Sequence, residues 1–305
     1  MNIVFMGTPD FAVPTLEKLA QSSHNILAVI TQPDKPVGRK QVLTPPDVKV
    51  CAEKYNIPVL QPESLRNDNS FNEIKSLAPD VIVVVAYGKI LPKNILDIPR
   101  YGCVNVHGSL LPKYRGASPI QSAVLNGDKI SGVTTMFMGE GLDTGDILLK
   151  KETEIGENET SAELFDRLSY MGADLLLKTL EGLENGSITP EKQNENDATY
   201  TVKITKDMCP IDWGKPALVI HNQVRGLQTW PVAVSKLGGK DIKIHSTVLC
   251  EKSGAPGEII SVNPLTVACG EGSLIIKELQ LSGKKRMDSK SFLLGHPLNT
   301  GDKFE

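Results

Sequence analysis

The chain has 305 residues, of which 40% are hydrophobic and 23% are charged, and its formal net charge is −3. These values are typical of a globular protein of about two domains and exclude a disordered or fibrous chain. The longest apolar run, at residues 81–86, is far shorter than the ~18 residues of a membrane span, and no signal peptide is evident. We therefore expect a cytoplasmic protein.

Five cysteines are scattered along the chain without a Cys-x-x-Cys pair: Cys51, Cys103, Cys209, Cys250 and Cys269. An odd, dispersed set of this kind favours reduced core residues over a disulfide framework or a zinc site. We expect no bound metal.

The first part of the chain alternates apolar runs with segments that repeat apolar residues at helical spacing. The predicted strands are 2–6, 26–30, 80–86, 103–107, 133–138 and 146–150, and the predicted helices are 11–20, 47–55, 71–77, 118–125 and 160–183. This alternation predicts an α/β fold with a doubly wound, mainly parallel sheet. Ligands of such sheets bind beyond the carboxyl ends of the strands.

Residues 185–197 contain almost no apolar side chains, which predicts a linker after the long helix. Short apolar or alternating runs then follow at 242–249, 257–262, 265–269 and 273–281. They predict a small antiparallel β-barrel of the OB-like kind. The predicted organisation is a first domain at 1–184, a linker at 185–206 and a barrel domain at 207–305.

The predicted strand 103–107 carries the most informative polar residues, Asn105 and His107. They are two positions apart, so their side chains point to the same face of the strand. An amide beside an imidazole suits the oxyanion that develops when a formyl or other carbonyl carbon is attacked. A nicotinamide or flavin cofactor is disfavoured, because the turn at residues 7–11 lacks the Gly-x-Gly-x-x-Gly pattern.

The glycine-rich loop at residues 139–146 adds two carboxylates, Asp143 and Asp146. One of them near His107 would fix the tautomer of the imidazole. Taken singly, each of these polar residues also suits a structural role at a strand end or in a turn. Their combination in this order favours a catalytic site.

The pattern Asn105-x-His107-x-Ser109-Leu110-Leu111-Pro112, followed by Asp143, resembles the motif of the 10-formyltetrahydrofolate-dependent formyltransferases. The resemblance covers essentially the full chain. Residues 5–14, 32–40 and 225–231 are similar to the members of this family that formylate the methionine carried by initiator tRNA. The family has a Rossmann-like formyltransferase domain, which agrees with the fold predicted for residues 1–184.

The resemblance implies transfer of the formyl group of 10-formyltetrahydrofolate to the amino group of methionine on initiator tRNA, for translation initiation. Asn105, His107 and Asp143 would be the catalytic residues. The residues implied to bind the folate are Ala86, Tyr87, Gly88, Ser109, Leu110, Leu111, Pro112 and Gly141. Leu110 and Leu111 suit a purely structural place in the core equally well.

Two basic clusters are implied to bind the tRNA: Lys35, Arg39 and Lys40, and Lys284, Lys285 and Arg286. The first cluster follows the second predicted strand, so a parallel sheet would place it on the same edge as Asn105 and His107. There it could contact the acceptor end of the tRNA, while the second cluster contacts the tRNA body. Short basic runs also occur in ordinary solvated loops. We expect a monomer.

Two other functions fit the sequence. One is a folate-dependent formyltransferase or a 10-formyltetrahydrofolate hydrolase that acts on a small molecule, with the barrel as a regulatory or oligomerisation module. The other is a catalytically silent folate-binding or RNA-binding protein. The presence of Asn105, His107 and Asp143 together argues against the silent protein, because a chain without catalysis has no physical need of all three.

Overall fold

The apolar runs in the first part of the chain form one seven-stranded sheet in the computed structural model, which describes residues 1–38 and 40–305. The strands are β1 (Asn2–Gly7), β2 (Asn25–Ile30), β3 (Lys35–Val37), β4 (Val42–Thr44), β5 (Val59–Leu60), β6 (Val81–Val85), β7 (Cys103–His107), β8 (Arg115–Gly116), β9 (Ile130–Phe137), β10 (Ile147–Glu154), β11 (Tyr200–Thr201), β12 (Ala233–Leu237), β13 (Lys240–Cys250), β14 (Ile259–Val262), β15 (Leu265–Ala268), β16 (Ser273–Leu281) and β17 (Met287–Asp288). The helices are α1 (Val13–Ala20), α2 (Asp47–Lys54), α3 (Asp68–Ser76), α4 (Lys93–Leu96), α5 (Pro119–Leu125), α6 (Ser161–Glu184), α7 (Ala217–Gly226) and α8 (Ser289–Gly295).

The order of the large sheet is β10-β9-β7-β6-β1-β2-β5. The pairs from β7 to β5 are parallel, and β9 runs antiparallel to β7. Every residue of β6 and β7 is buried, as expected for central strands of a sheet covered on both faces. The predicted α/β fold with a mainly parallel sheet is confirmed.

The parallel strands β7, β6, β1 and β2 end on one side of the sheet, which we call the carboxyl edge. Hydrogen bonds tie three of these strand ends together. The hydroxyl of Thr8, after β1, donates to the carbonyl oxygen of Tyr87, after β6, at 3.0 Å. The amide of Gln32, after β2, donates to the same oxygen at 2.9 Å. The turn after β6 is therefore held by residues that follow β1, its neighbour in the sheet, and β2, the next strand along.

The chain divides into two compact units, one of residues 1–116, 131–153 and 165–201 and one of residues 117–130, 154–164 and 202–305. In the second unit, the sheet order is β12-β13-β16-β15-β14, with β17 on β16 and all pairs antiparallel. The predicted antiparallel character of this part is confirmed. The boundaries at residues 184 and 206 stay a prediction.

Helix α6 begins with the reciprocal hydrogen bonds expected from its sequence. The Thr160 amide donates to Glu163 Oε2 at 2.8 Å, and the Glu163 amide donates to Thr160 Oγ1 at 3.2 Å. Two otherwise unpaired amides at the start of the helix are thereby satisfied. The hydrogen bonds that the Thr160 amide and hydroxyl donate to the Glu163 carboxylate lower the pKa of Glu163.

None of the helices in residues 1–38 and 40–305 combines the length and the apolar character that a membrane crossing requires.

The second unit holds a buried histidine, His221, whose two ring nitrogens both have partners. Nε2 donates to the carbonyl oxygen of Glu157 at 3.1 Å, and Nδ1 accepts from the hydroxyl of Thr247 at 2.8 Å. Burial lowers the pKa of His221, the bond to Glu157 opposes that shift, and the charge of Arg225 adds to it. The folded protein therefore holds this ring neutral at pH values where an exposed histidine is protonated.

We expect the free energy of unfolding to fall as the pH drops below about 6.5, because the unfolded chain then takes up a proton that folded His221 resists. His221→Gln keeps a donor toward Glu157 but cannot titrate, so it should remove part of this pH dependence. Urea unfolding between about pH 5.5 and about pH 7.5 measures it. An unchanged slope in the variant would assign the pH dependence to other groups.

Candidate active site

Strand β7 presents Asn105 and His107 on one face at the carboxyl edge. The register pairs Asn105 with Val84 in β6 and with Met136 in β9, and it pairs His107 with Thr134 in β9. Both side chains are buried, with 8% and 6% of their surface exposed. The strand alternation that the sequence predicts thus brings the amide and the imidazole to the same side.

Hydrogen bonding fixes which nitrogen of His107 carries the proton. Nε2 donates to the carbonyl oxygen of Tyr114 at 2.9 Å, and a carbonyl oxygen can only accept. Nδ1 faces Asp143, whose Oδ2 lies 3.8 Å away. That separation is an ion-pair distance and is too long for a hydrogen bond. The tautomer is therefore set by the Tyr114 carbonyl, and Nδ1 is the nitrogen left for proton exchange.

Asp143 adopts a left-handed backbone conformation with φ +52°. Its Oδ2 accepts a hydrogen bond from the backbone amide of Gly116 at 2.8 Å. This conformation is unfavourable for residues other than glycine, so contacts with the surrounding structure have to maintain it. The turn that directs the Asp143 carboxylate at His107 therefore depends on contacts with other residues for its conformation.

Three consecutive residues that the sequence reasoning missed hold the two titratable groups. Tyr114 accepts from His107, and Gly116 donates to Asp143. Between them, the side chain of Arg115 is fully buried. A buried guanidinium needs polar partners, and the carboxylate that pairs with Arg115 belongs to Glu195, which is remote in sequence. In the sequence, Arg115 stands two positions after Lys113, and nothing local distinguishes it from an exposed basic residue.

The segment 109–113 forms a turn whose polar groups are internally satisfied. The Ser109 hydroxyl donates to the carbonyl of Lys113 at 2.6 Å. The Thr134 hydroxyl donates to the Ser109 carbonyl at 2.7 Å and accepts from the Leu111 amide at 3.1 Å. Leu110 and Pro112 are half-buried.

The side chain of Leu111 is only 1% exposed and packs against Met136 and Ile147. Leu111 is therefore part of the core, and its predicted contact with the folate stays a prediction.

The turn after β6 combines two exposed residues of positive φ with a buried aromatic ring. Ala86 has φ +47° and Gly88 has φ +80°. Between them, Tyr87 is 2% exposed, and its hydroxyl has no hydrogen-bond partner among the described residues. Burial raises the pKa of Tyr87 to about 12.

Gly141 is exposed, and a Cβ there would lie 2.3 Å from the Thr144 hydroxyl.

Lys35 and Lys40 of the first predicted basic cluster lie on a hairpin formed by β3 and β4. Lys35 donates to the side-chain oxygen of Gln32 at 3.0 Å, which connects the hairpin to the carboxyl edge, and Lys40 is exposed in the turn. Arg39 lies outside the described residues.

The second cluster, Lys284, Lys285 and Arg286, is exposed in the second unit. Arg286 forms an ion pair with Glu278 there. The structure therefore brings Asn105, His107 and Asp143 together, and it assigns the two basic clusters to different units.

The arrangement at the end of β7 can hold negative charge on an attacked carbonyl oxygen and can move one proton. Asn105 supplies an amide donor, and His107 and Asp143 supply an imidazole and a carboxylate. No group of three or more His, Cys, Asp or Glu side chains converges on a metal site within the part of the chain that the structure describes.

We expect Thr134→Val to lower the free energy of unfolding by about 1–3 kcal/mol, because it leaves the Ser109 carbonyl and the Leu111 amide buried and unpaired. Thr134→Ser keeps the hydroxyl, loses one methyl group and should cost about 1 kcal/mol. Urea unfolding of both variants measures the difference. A valine variant more stable than the serine variant would contradict the role given to the hydroxyl.

Two family models match the chain. The model described as formyl transferase matches residues 1–180, and the model described as formyl transferase, C-terminal domain, matches residues 203–297. A protein from Trichlorobacter lovleyi named methionyl-tRNA formyltransferase is 52% identical over 302 residues. The aligned region covers 98% of this chain and 96% of that protein.

Among solved structures, the N-formyltransferase from Helicobacter canadensis, in complex with folinic acid and dTDP-3-aminofucose, has a TM-score of 0.68 at 21% identity. The match covers 90% of this chain and 97% of that one. A variant of HypX from Aquifex aeolicus has a TM-score of 0.66 at 17% identity, over 99% of this chain and 49% of HypX. This chain thus spans about half the length of HypX. At these identities, both structures show the similarity of the fold.

Proposed function

This chain belongs to the formyl transferase family, and on that premise we propose that it transfers a formyl group to the amino group of methionine on initiator tRNA, giving N-formylmethionyl-tRNA. The observation that carries the proposal is the identity to a methionyl-tRNA formyltransferase over nearly the full length of both chains. It favours this acceptor over a small molecule, because the relative named for the tRNA acceptor is 52% identical, whereas the N-formyltransferase bound to dTDP-3-aminofucose is 21% identical.

The proposed formyl donor is 10-formyltetrahydrofolate, bound at the carboxyl edge. In support, a relative of the same fold carries folinic acid. We assign the folate to the two turns at the ends of β6 and β7, which supply Ala86, Tyr87, Gly88, Ser109, Leu110 and Pro112, together with Gly141. Leu111, whose side chain lies in the core, belongs to the same proposed set.

In the proposed reaction, the neutral amine of methionine attacks the formyl carbon, and the carbonyl oxygen becomes an oxyanion. The Asn105 amide and the protonated Nδ1 of His107 stabilise this oxyanion, since Nε2 is already engaged by the Tyr114 carbonyl. Asp143 stabilises the positive ring and accepts the amine proton through a water. The bond from the formyl carbon to N10 of the folate then breaks, and N10 takes up the proton.

Two surfaces are proposed to bind the tRNA. Lys35 and Lys40 on the β3-β4 hairpin, together with Arg39, would contact its acceptor end. Lys284, Lys285 and Arg286 would contact its body. The bond from Lys35 to Gln32 supports the first assignment, because Gln32 also holds the turn after β6. Exposed lysines on the second unit can pair with phosphates and release counterions. We propose that the protein works as a monomer.

The test of the proposed function is transfer of radiolabelled formyl from 10-formyltetrahydrofolate to methionine-charged initiator tRNA. Parallel reactions contain glycinamide ribonucleotide or no acceptor. We expect label on the tRNA alone, because the relative that is 52% identical over nearly the full chain is named for that acceptor. Label on the small acceptor, or release of formate without an acceptor, would overturn the tRNA assignment while keeping the donor.

We expect Asn105→Ala to lower kcat by about 10²–10³-fold, since it removes one oxyanion donor from a buried site. The same transfer assay measures it. Asn72→Ala, at an exposed position on α3, is the matched control and should keep full activity. Near-normal turnover of a folded Asn105→Ala variant would remove this residue from the catalytic set.

A further inference from the structure

The turn that carries Asp143 is clamped by a single side chain from a distant part of the first unit. The Nε2 amide of Gln193 donates one hydrogen bond to the Asp143 carbonyl and one to the Gly145 carbonyl, both at 2.8 Å. The two carbonyls lie on either side of Thr144. One amide group therefore spans the backbone in which Asp143 takes its disfavoured left-handed conformation.

Arg115 fixes the orientation of this amide. Its Nε and Nη2 donate to Gln193 Oε1 at 3.0 and 2.9 Å. A guanidinium can only donate, so the oxygen of Gln193 must face Arg115 and its NH₂ group must face the turn. A flipped amide would bring Gln193 donors against Arg115 donors and its oxygen against two carbonyl oxygens.

Glu195 compensates the buried charge of Arg115. Its two carboxylate oxygens accept from Nη1 and Nη2 at 2.9 and 2.8 Å, in a two-pronged ion pair. The Tyr200 hydroxyl accepts from Nη1 at 3.0 Å. The carboxylate end of the pair is accessible, because 68% of the Glu195 side chain is exposed, whereas the Arg115 side chain is fully buried.

The backbone of the same segment holds the residues that contact His107 and Asp143. The Thr199 carbonyl accepts from the Arg115 amide, and the Thr199 hydroxyl accepts from the Tyr114 amide, both at 2.8 Å. Strand β11 pairs in parallel with β8, so that Thr201 lies opposite Gly116. Residues 193–201, which we call the clamp segment, thus contact the Asp143 turn and the Tyr114 to Gly116 backbone at once.

We propose that Gln193 is a positioning residue that keeps the Asp143 carboxylate in reach of His107 Nδ1, with Arg115 and Glu195 holding the Gln193 amide in place. The inference rests on the proposed function. Its physical basis is the 3.8 Å separation of Asp143 Oδ2 from Nδ1. A displacement of about 1 Å in catalytic groups can cost about 10²-fold in rate.

The test compares Gln193→Glu and Gln193→Ala in formyl transfer. Gln193→Glu retains the shape and the acceptor for Arg115 but places an oxygen against the carbonyls of Asp143 and Gly145. We expect both variants to lose about 10²-fold in kcat, with KM for tRNA and for folate within about threefold. A role in packing alone would leave the isosteric Gln193→Glu variant active.

Gln223→Glu is the matched control. The Gln223 amide also donates to backbone carbonyls, those of Met208 and Pro210 in the second unit, but it touches no residue of the site. It should keep kcat. Glu195→Gln is the second variant, because its exposed side chain tolerates substitution, and it should lower kcat by a smaller factor through the weakened hold on Arg115.

The outcomes separate the two proposals. Wild-type protein without transfer to the tRNA would overturn the proposed function. Active wild-type protein together with full kcat in Gln193→Glu and in Glu195→Gln would overturn the positioning role alone. A rise in KM at unchanged kcat would also overturn it, because that result assigns the clamp segment to substrate binding. Loss of kcat in folded variants at unchanged KM supports it.

Discussion

The parallel pairing of β7, β6, β1 and β2 is the constraint on which the candidate site depends. Parallel strands of one sheet end at the same edge, so their pairing brings together four segments that are far apart in the chain. The polar groups that follow these strands then satisfy one another, as Thr8 and Gln32 do at the carbonyl of Tyr87. A rigid edge of this kind lets irregular turns carry chemistry without losing their position.

Apolar and polar contacts hold different turns of the candidate site. Leu111 anchors its turn in the core, and Ser109 and Thr134 close the same turn with hydrogen bonds. Around Asp143 the anchor is instead a buried cation, Arg115, whose charge has to be met by a carboxylate. When one member of a buried polar network is missing, its partners stay unpaired at a cost in free energy. Such a network therefore favours one specific arrangement of side chains. The geometry at His107 thus depends on a network of buried polar contacts, and the loss of any one of them leaves a buried polar group unpaired.

Local patterns made part of this architecture predictable. The apolar runs predict the central strands to within a few residues, and the spacing of Thr160 and Glu163 predicts the start of α6. The strand period of two predicts that Asn105 and His107 share one face. The β3-β4 hairpin was interpreted as a basic loop, because its strands are short and their apolar residues are exposed. Helix α7 was missed, since exposed Leu218 and Val219 obscure its helical periodicity. The roles of the individual site residues and the domain boundaries stay predictions.

The segment whose contacts were hardest to predict is the polar stretch at residues 185–197. Residues 185–197 have almost no apolar side chains, and that property is typical of a solvated linker. A polar side chain can be satisfied by water or by a buried polar partner, and composition does not distinguish the two. Gln193 lies 78 residues from Arg115 in the chain, so no local pattern relates them. A buried charge needs a polar partner wherever the chain can supply one. Polar segments that follow a catalytic domain should therefore be compared with the uncompensated charges of that domain before they are assigned to solvent.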